Sequence, residues 1–131
     1  MGRKREPEYT LNVFRQYDER TKTTPVVFLV QTTKIFVSFR YEILLEDELR
    51  EREIHLKIVG LHAPTLLMPG SGPAQGQRNY ESLRGTYMLR VIKQDKSTNE
   101  FEIEITPKSI TVTKEPATPF VMISTESVPL E

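Results

Sequence analysis

The chain has 131 residues and no cysteine, which excludes disulfide scaffolds, thiolate nucleophiles and cysteine-based zinc sites. Its 18 basic and 18 acidic residues cancel, so it lacks the broad positive field that draws proteins to nucleic acid. Leu, Ile, Val and Phe supply 37 residues, enough for one domain with its own core, and 14 Thr against 3 Ala favour strands over helices.

Residues 1–7, MGRKREP, are charged and end in proline, and are expected to form a disordered basic tail. The three positive charges of GRKR are too few to hold nucleic acid against salt. Gly2 is followed by Glu6 where a myristoylation site needs Ser or Thr, and no signal-peptide pattern follows. YTLNVFRQY alternates Tyr9, Leu11, Val13, Arg15 and Tyr17 on one side and reads as a strand. After the turn-like DERTKTTP comes VVFLVQ (Val26 to Gln31), a continuous apolar run that fits a strand buried on both faces. The longest apolar stretch, PVVFLV, is far too short to cross a bilayer as a helix.

KIFVSFRYEILL has the clearest period-2 pattern: Ile35, Val37, Phe39, Tyr41 and Ile43 point one way, Lys34, Ser38, Arg40 and Glu42 the other. EDELRERE (Glu46 to Glu53) packs seven charges into eight positions and reads as a solvated hairpin tip or a helical turn. IHLKIVG resumes alternation, with Ile54, Leu56 and Ile58 inward and His55 and Lys57 outward. GTYMLRVIKQ (Tyr87, Leu89, Val91 inward) and EFEIEI (Phe101, Ile103, Ile105 inward) flank the turn cluster DKSTN and make a hairpin. SITVT and PFVMIS supply two more short strands, and residues 127–131 form a second tail. The fold expected is all-β: a single antiparallel β-sandwich domain over 8–126, immunoglobulin-like, with a small β-barrel as the alternative.

The break from Leu61 to Arg84, residues 61–84, is expected to be a long loop, because four of the six glycines fall between Gly60 and Gly76. It reads either as a flexible insertion or as a binding loop anchored by Leu66, Leu67 and Met68. GSGPAQG is no phosphate loop: no Lys-Ser/Thr follows, and Pro73 removes an amide donor. Gln77, Arg78, Asn79 and Tyr80 form its one polar-aromatic cluster and are the candidate binding residues.

Other constellations carry less. His55 and His62 fall on opposite parities and lack a third ligand, so no metal is expected. Glu100, Glu102 and Glu104 line one strand face, which invites comparison with a catalytic carboxylate pair, but read as a solvated row that pairs with Arg90 and Lys93. No catalytic residue and no cofactor is assigned. The function expected is a non-enzymatic binding or protein-interaction module, taking an unknown protein or a small polar ligand, with neither nucleic acid nor membrane as partner. The alternative is a carbohydrate-active or hydrolase-like domain using Glu residues near the loop. A cytoplasmic protein is expected unless a leader has been removed.

Overall fold

Period-2 patterning carries most of the described chain, residues 7–37, 41–63 and 70–129, into nine strands in a computed structural model. In chain order they are β1 (Tyr9–Arg15), β2 (Val26–Phe36), β3 (Glu42–Arg50), β4 (Glu53–His62), β5 (Gly72–Tyr80), β6 (Gly85–Ile92), β7 (Thr98–Ile105), β8 (Ile110–Lys114) and β9 (Val121–Ser124). Among the described residues there is no helix, and so none long and apolar enough to cross a membrane.

The strands form one mixed sheet, β8-β7-β6-β4-β3-β5-β2-β1-β9, curled into a nearly closed barrel. This continuous ladder fits the small-barrel alternative. The expectation of a purely antiparallel sheet is corrected by parallel pairings of β1 with β9, β3 with β5 and β4 with β6. Parallel neighbours arise because β5 leaves the β3–β4 hairpin to pair with β2, so the chain returns at β6 running the same way as β4. The sheet is thinnest between β3 and β5, where among the described residues a single pair, Glu42 with Gln75, joins five strands to four.

One parity of each strand fills the interior. Leu11, Val13, Val26, Phe28, Val30, Ile43, Leu45, Ile54, Leu56, Ile58, Leu89, Val91, Phe101, Ile103 and Ile105 are all buried there. At roughly 1.5–3 kcal/mol for each large aliphatic or aromatic side chain, this burial is the main stabilising contribution. A smaller cluster lies on the outer face of β1 and β2, where Phe14, Val27 and Leu29 are buried with Val128 against them. The C-terminal segment is tied down there by Asn12 Nδ2, which donates to the Glu126 carbonyl at 3.1 Å. Val26 to Val30 are thus covered on both faces, as their unbroken apolar run implies.

The KIFVSFRYEILL expectation is corrected. Its first residues end β2, whose inward parity is set by Val26, Phe28 and Val30, so Ile35 and Val37 fall outward and are 56% and 80% exposed. Phe36 packs instead against Tyr41, with ring centroids 4.9 Å apart. Ser38, Phe39 and Arg40 lie outside the described residues, as do residues 1–6 of the expected tail, Leu66, Leu67 and Met68 of the expected anchor, and residues 130–131.

EDELRERE forms the end of the β3–β4 hairpin, closed by Glu51 and Arg52 with Glu51 at φ 51°. The β6–β7 hairpin forms as expected, although Asn99 belongs to β7 and not to its turn. Asn99 is the buried polar residue of the core, 5% exposed. Its Oδ1 accepts the amides of Phe120 and Val121 at 2.8 and 3.3 Å, stapling the start of β9 to the far half of the barrel.

The break at 61–84 is also corrected: β4 runs on to His62, and β5 occupies Gly72–Tyr80. Inward positions of β5 are Gly72, Ala74, Gly76, Arg78 and Tyr80; outward ones are Pro73, Gln75, Gln77 and Asn79. The alternation is real but uses small residues, because β5 passes close to β3. A Cβ on Gly76 would lie 2.5 Å from the Ile43 carbonyl oxygen and 3.1 Å from Leu45 Cδ1. Pro73 interrupts the β2–β5 ladder, and the Thr32 hydroxyl takes the Ala74 amide at 2.9 Å.

Gly76→Ala is therefore expected to destabilise by roughly 1–3 kcal/mol, since backbone must part to admit the methyl group. Gly60→Ala, whose Cβ would meet only the end of the Gln94 side chain at 2.9 Å, where its Nε2 donates to the Val59 carbonyl, should cost less, about 1 kcal/mol. Denaturant titration of the pair checks this; equal losses would mean that the β3–β5 approach yields easily. Asn99→Ala, which leaves two amides without their acceptor, should cost roughly 1–3 kcal/mol in the same assay.

Candidate functional site

The alternation of β5 splits the sequence-predicted cluster Gln77, Arg78, Asn79 and Tyr80 in two. Gln77 and Asn79 stand on the outer face beside Leu29 and Val27, and Gln77 Nε2 donates to Asn79 Oδ1 at 2.9 Å. Arg78 and Tyr80 turn toward the β3 seam. Arg78 Nε donates to Asp47 Oδ1 at 2.8 Å and Nη2 to the Leu45 carbonyl at 2.5 Å. The Tyr80 hydroxyl donates to Asp47 Oδ2, and its ring meets Phe28 edge-on at 5.6 Å.

Asp47 thus closes a triad that sequence reasoning missed, having treated EDELRERE as a solvated tip. Its signal was parity: Asp47 is in phase with Ile43 and Leu45, both of which are buried. Burial, the hydrogen bond to Asp47 and the Asp47 charge, in that order, hold the Tyr80 phenol far above its ordinary value of 10.0, with Arg78 opposing them. Arg78 Nη1 also donates to the Gln77 carbonyl at 2.7 Å, so all three guanidinium nitrogens and both Asp47 oxygens have partners here, and the arrangement serves to close the seam.

A different site lies where β1 ends, β5 passes to β6 and β7 passes to β8. Arg15, Ser82, Leu83, Arg84 and Pro107 line a groove of about 380 Å³ there. Arg15 is in phase with Leu11 and Val13, so the inward parity of β1 carries a guanidinium into this end of the barrel; its Nη2 donates to the Thr106 carbonyl. Leu83 is buried and gives the groove an apolar element. Ser82 stands at φ 64°, a left-handed conformation uncommon for an L residue, and Gly85 follows at φ 99°. Residues 81–84 are all that remains of the expected long loop at its C-terminal end.

That connection is pinned from both sides. Thr23 Oγ1 donates to Glu81 Oε1 at 2.8 Å, the Arg84 amide donates to the Tyr87 hydroxyl at 3.2 Å, and Arg52 Nη1 donates to the Arg84 carbonyl at 2.5 Å. The Arg52 guanidinium itself sits 5.1 Å from the centre of the Tyr87 ring.

The remaining sequence candidates resolve individually. Arg90 bridges Glu53 at 3.1 Å and Glu100 at 3.6 Å, and Glu102 pairs with Lys114 at 3.7 Å. Lys93 does not join that row: it pairs with Glu8 and lies 4.7 Å from the Phe120 ring centre. His55 and His62 share the outer face, contrary to their sequence parity, because Val59 is the extra residue of a bulge that resets the alternation. Among the described residues no group of three His, Asp or Glu side chains is placed to hold a metal ion.

These features define an all-β protein, nine strands in a nearly closed barrel-shaped sheet, with an arginine-lined groove at one end. No family model matches the chain, and no curated protein or solved structure matches it either.

The seam triad sets a pH dependence. A phenol whose folded pKa exceeds 10.0 stabilises the fold fully below that pH, and the contribution is lost as the pH rises above it. Stability should therefore decline on the alkaline side, and Tyr80→Phe should flatten that decline while costing about 1 kcal/mol at neutral pH. Denaturant midpoints from pH 7 to 11 test it; an unchanged alkaline slope in the variant would assign the decline to other groups.

Proposed function

We propose that the chain is a non-enzymatic binding module, cytoplasmic, whose ligand enters the groove formed by the end of β1, the β5–β6 connection and the β7–β8 connection. The groove itself carries this reading: at about 380 Å³ it matches the size of small-ligand sites, and it combines an apolar wall with two arginines. The original cluster at Gln77, Arg78, Asn79 and Tyr80 contributes through the scaffold, since Arg78 and Tyr80 fix the end of the strand from which residues 81–84 depart.

The single-pair junction between five and four strands also lets the two halves be read as facing sheets, the immunoglobulin-like arrangement expected from sequence. In such scaffolds, connections gathered at one end carry the binding surface. The hydrolase-like alternative draws less support, because none of Glu100, Glu102 and Glu104 lines the groove.

Amide shift mapping by NMR against a panel of small polar molecules, neutral and charged, tests the reading. Saturable shifts are expected at residues 15–16, 81–84, 106 and 108. A panel that moves none of these, or moves only the outer face around Gln77 and Asn79, would overturn it.

A further inference from the structure

The arginines of this chain divide by their partners. Arg50 pairs with Glu48, Arg78 with Asp47, and Arg90 with Glu53 and Glu100. Among the described residues, Arg15, Arg20, Arg52 and Arg84 have no carboxylate within ion-pair distance, and three of these four, Arg15, Arg52 and Arg84, belong to the groove end of the barrel. Arg15 commits one Nη to the Thr106 carbonyl and keeps its other donors. The Arg84 side chain has no hydrogen-bond partner among the described residues, while its backbone is held by Arg52 and Tyr87.

Two guanidiniums lining one groove without a counter-ion repel each other, and Leu83 and Pro107 in the lining thin the water that would screen them. An anion between them would remove that repulsion and gain charge-assisted hydrogen bonds, which planar guanidinium forks form best with carboxylate or phosphate oxygens. Ser82 supplies a neutral hydroxyl on the same wall. With zero net charge on the chain, no long-range field assists capture, so recognition is local.

From this we infer that the groove is an oxyanion site: Arg84 and Arg15 hold a phosphate or carboxylate group of the ligand, and Arg52 positions the Arg84 backbone. The inference rests on the binding-module reading and specifies its ligand class.

The test is titration of the full chain at low ionic strength with methyl phosphate, with acetate, and with acetamide as the uncharged counterpart of acetate, followed by amide shifts at 82–84, 106 and 108. At least one anion should saturate these shifts, with affinity falling as sodium chloride is added. Methyl phosphate alone would narrow the class to phosphates, and acetate alone to carboxylates. Arg84→Gln should weaken binding about fivefold or more without lowering the denaturation midpoint, since this side chain makes no internal bond and its removal relieves the repulsion of Arg15. Arg15→Lys, which keeps the charge but loses the fork, should fall between the two. Arg20→Gln, on the β1–β2 connection, should change nothing. Equal binding of acetamide and acetate, or full affinity in Arg84→Gln, would overturn the oxyanion assignment. A neutral molecule filling the groove while both anions fail would remove that assignment and leave the module reading standing. Failure of every probe at these residues would remove both.

Discussion

Where β5 runs beside β3, two pieces of backbone approach so closely that position 76 has no room for a side chain facing the Ile43 carbonyl. The rest of the barrel depends on this contact. On one side lie the hairpins β3–β4 and β6–β7 with β8; on the other lie β5, β2, β1 and β9. One residue pair makes the join, so side chains must supply what the ladder does not. Arg78 reaches across to the Leu45 carbonyl and to Asp47, and Tyr80 reaches Asp47 while resting on Phe28. At the opposite seam Asn99 performs the same service for the backbone of Phe120 and Val121. A buried amide and a partly buried ion pair are costly unless satisfied, and here each is satisfied by the other half of the molecule.

The seam also determines where the groove can be. β5 ends at Tyr80, so the residues that follow are delivered to the barrel end directly from the Asp47 contact. From there Thr23, Arg52 and Tyr87 hold the short connection to β6. A wall built this way is rigid enough to present Ser82 and Arg84 at a fixed place beside Arg15, from β1 in the same half as β5, and Pro107, from the β7–β8 connection of the other half. The groove is therefore a product of closure, with lining residues drawn from both sides of the junction.

Sequence periodicity revealed most strands because their inward residues are large and apolar: Ile54, Leu56 and Ile58, or Phe101, Ile103 and Ile105. It failed at β5, where alternation persists but the inward residues are Gly72, Ala74 and Gly76, whose role is proximity and not burial of area. It failed again at Ile35 and Val37, whose local pattern joined them to the residues after them although their strand's phase came from Val26, Phe28 and Val30. Asp47 and Arg15 carry a lesson of another kind. Each is a charged residue at the apolar parity of its strand, visible from sequence: Asp47 reads as part of a solvated tip and Arg15 as one member of an apolar alternation, with no role attached to either. Bulges such as the one at Val59 leave no comparable mark, and they decide which face a histidine occupies.

The pairing of β1 with β9 brings Tyr9 beside Val121, and the amides of Glu8 and Tyr9 both donate to the Phe120 carbonyl. During synthesis β1 finds β2 as soon as that strand is made, but its second neighbour, β9, exists only after β2 to β8 have all been made. The hairpins β3–β4 and β6–β7 are local and can form as they emerge, but the ladder edge of β1 stays bare until residue 121 is available. The outer patch of Phe14, Val27 and Leu29 stays uncovered longer still, until Val128 arrives. A chain still lacking that segment therefore presents an open strand edge next to exposed apolar surface, the combination that recruits other chains or chaperones. Residues 121–128 act as the domain's own escort, and their arrival is what ends that exposure.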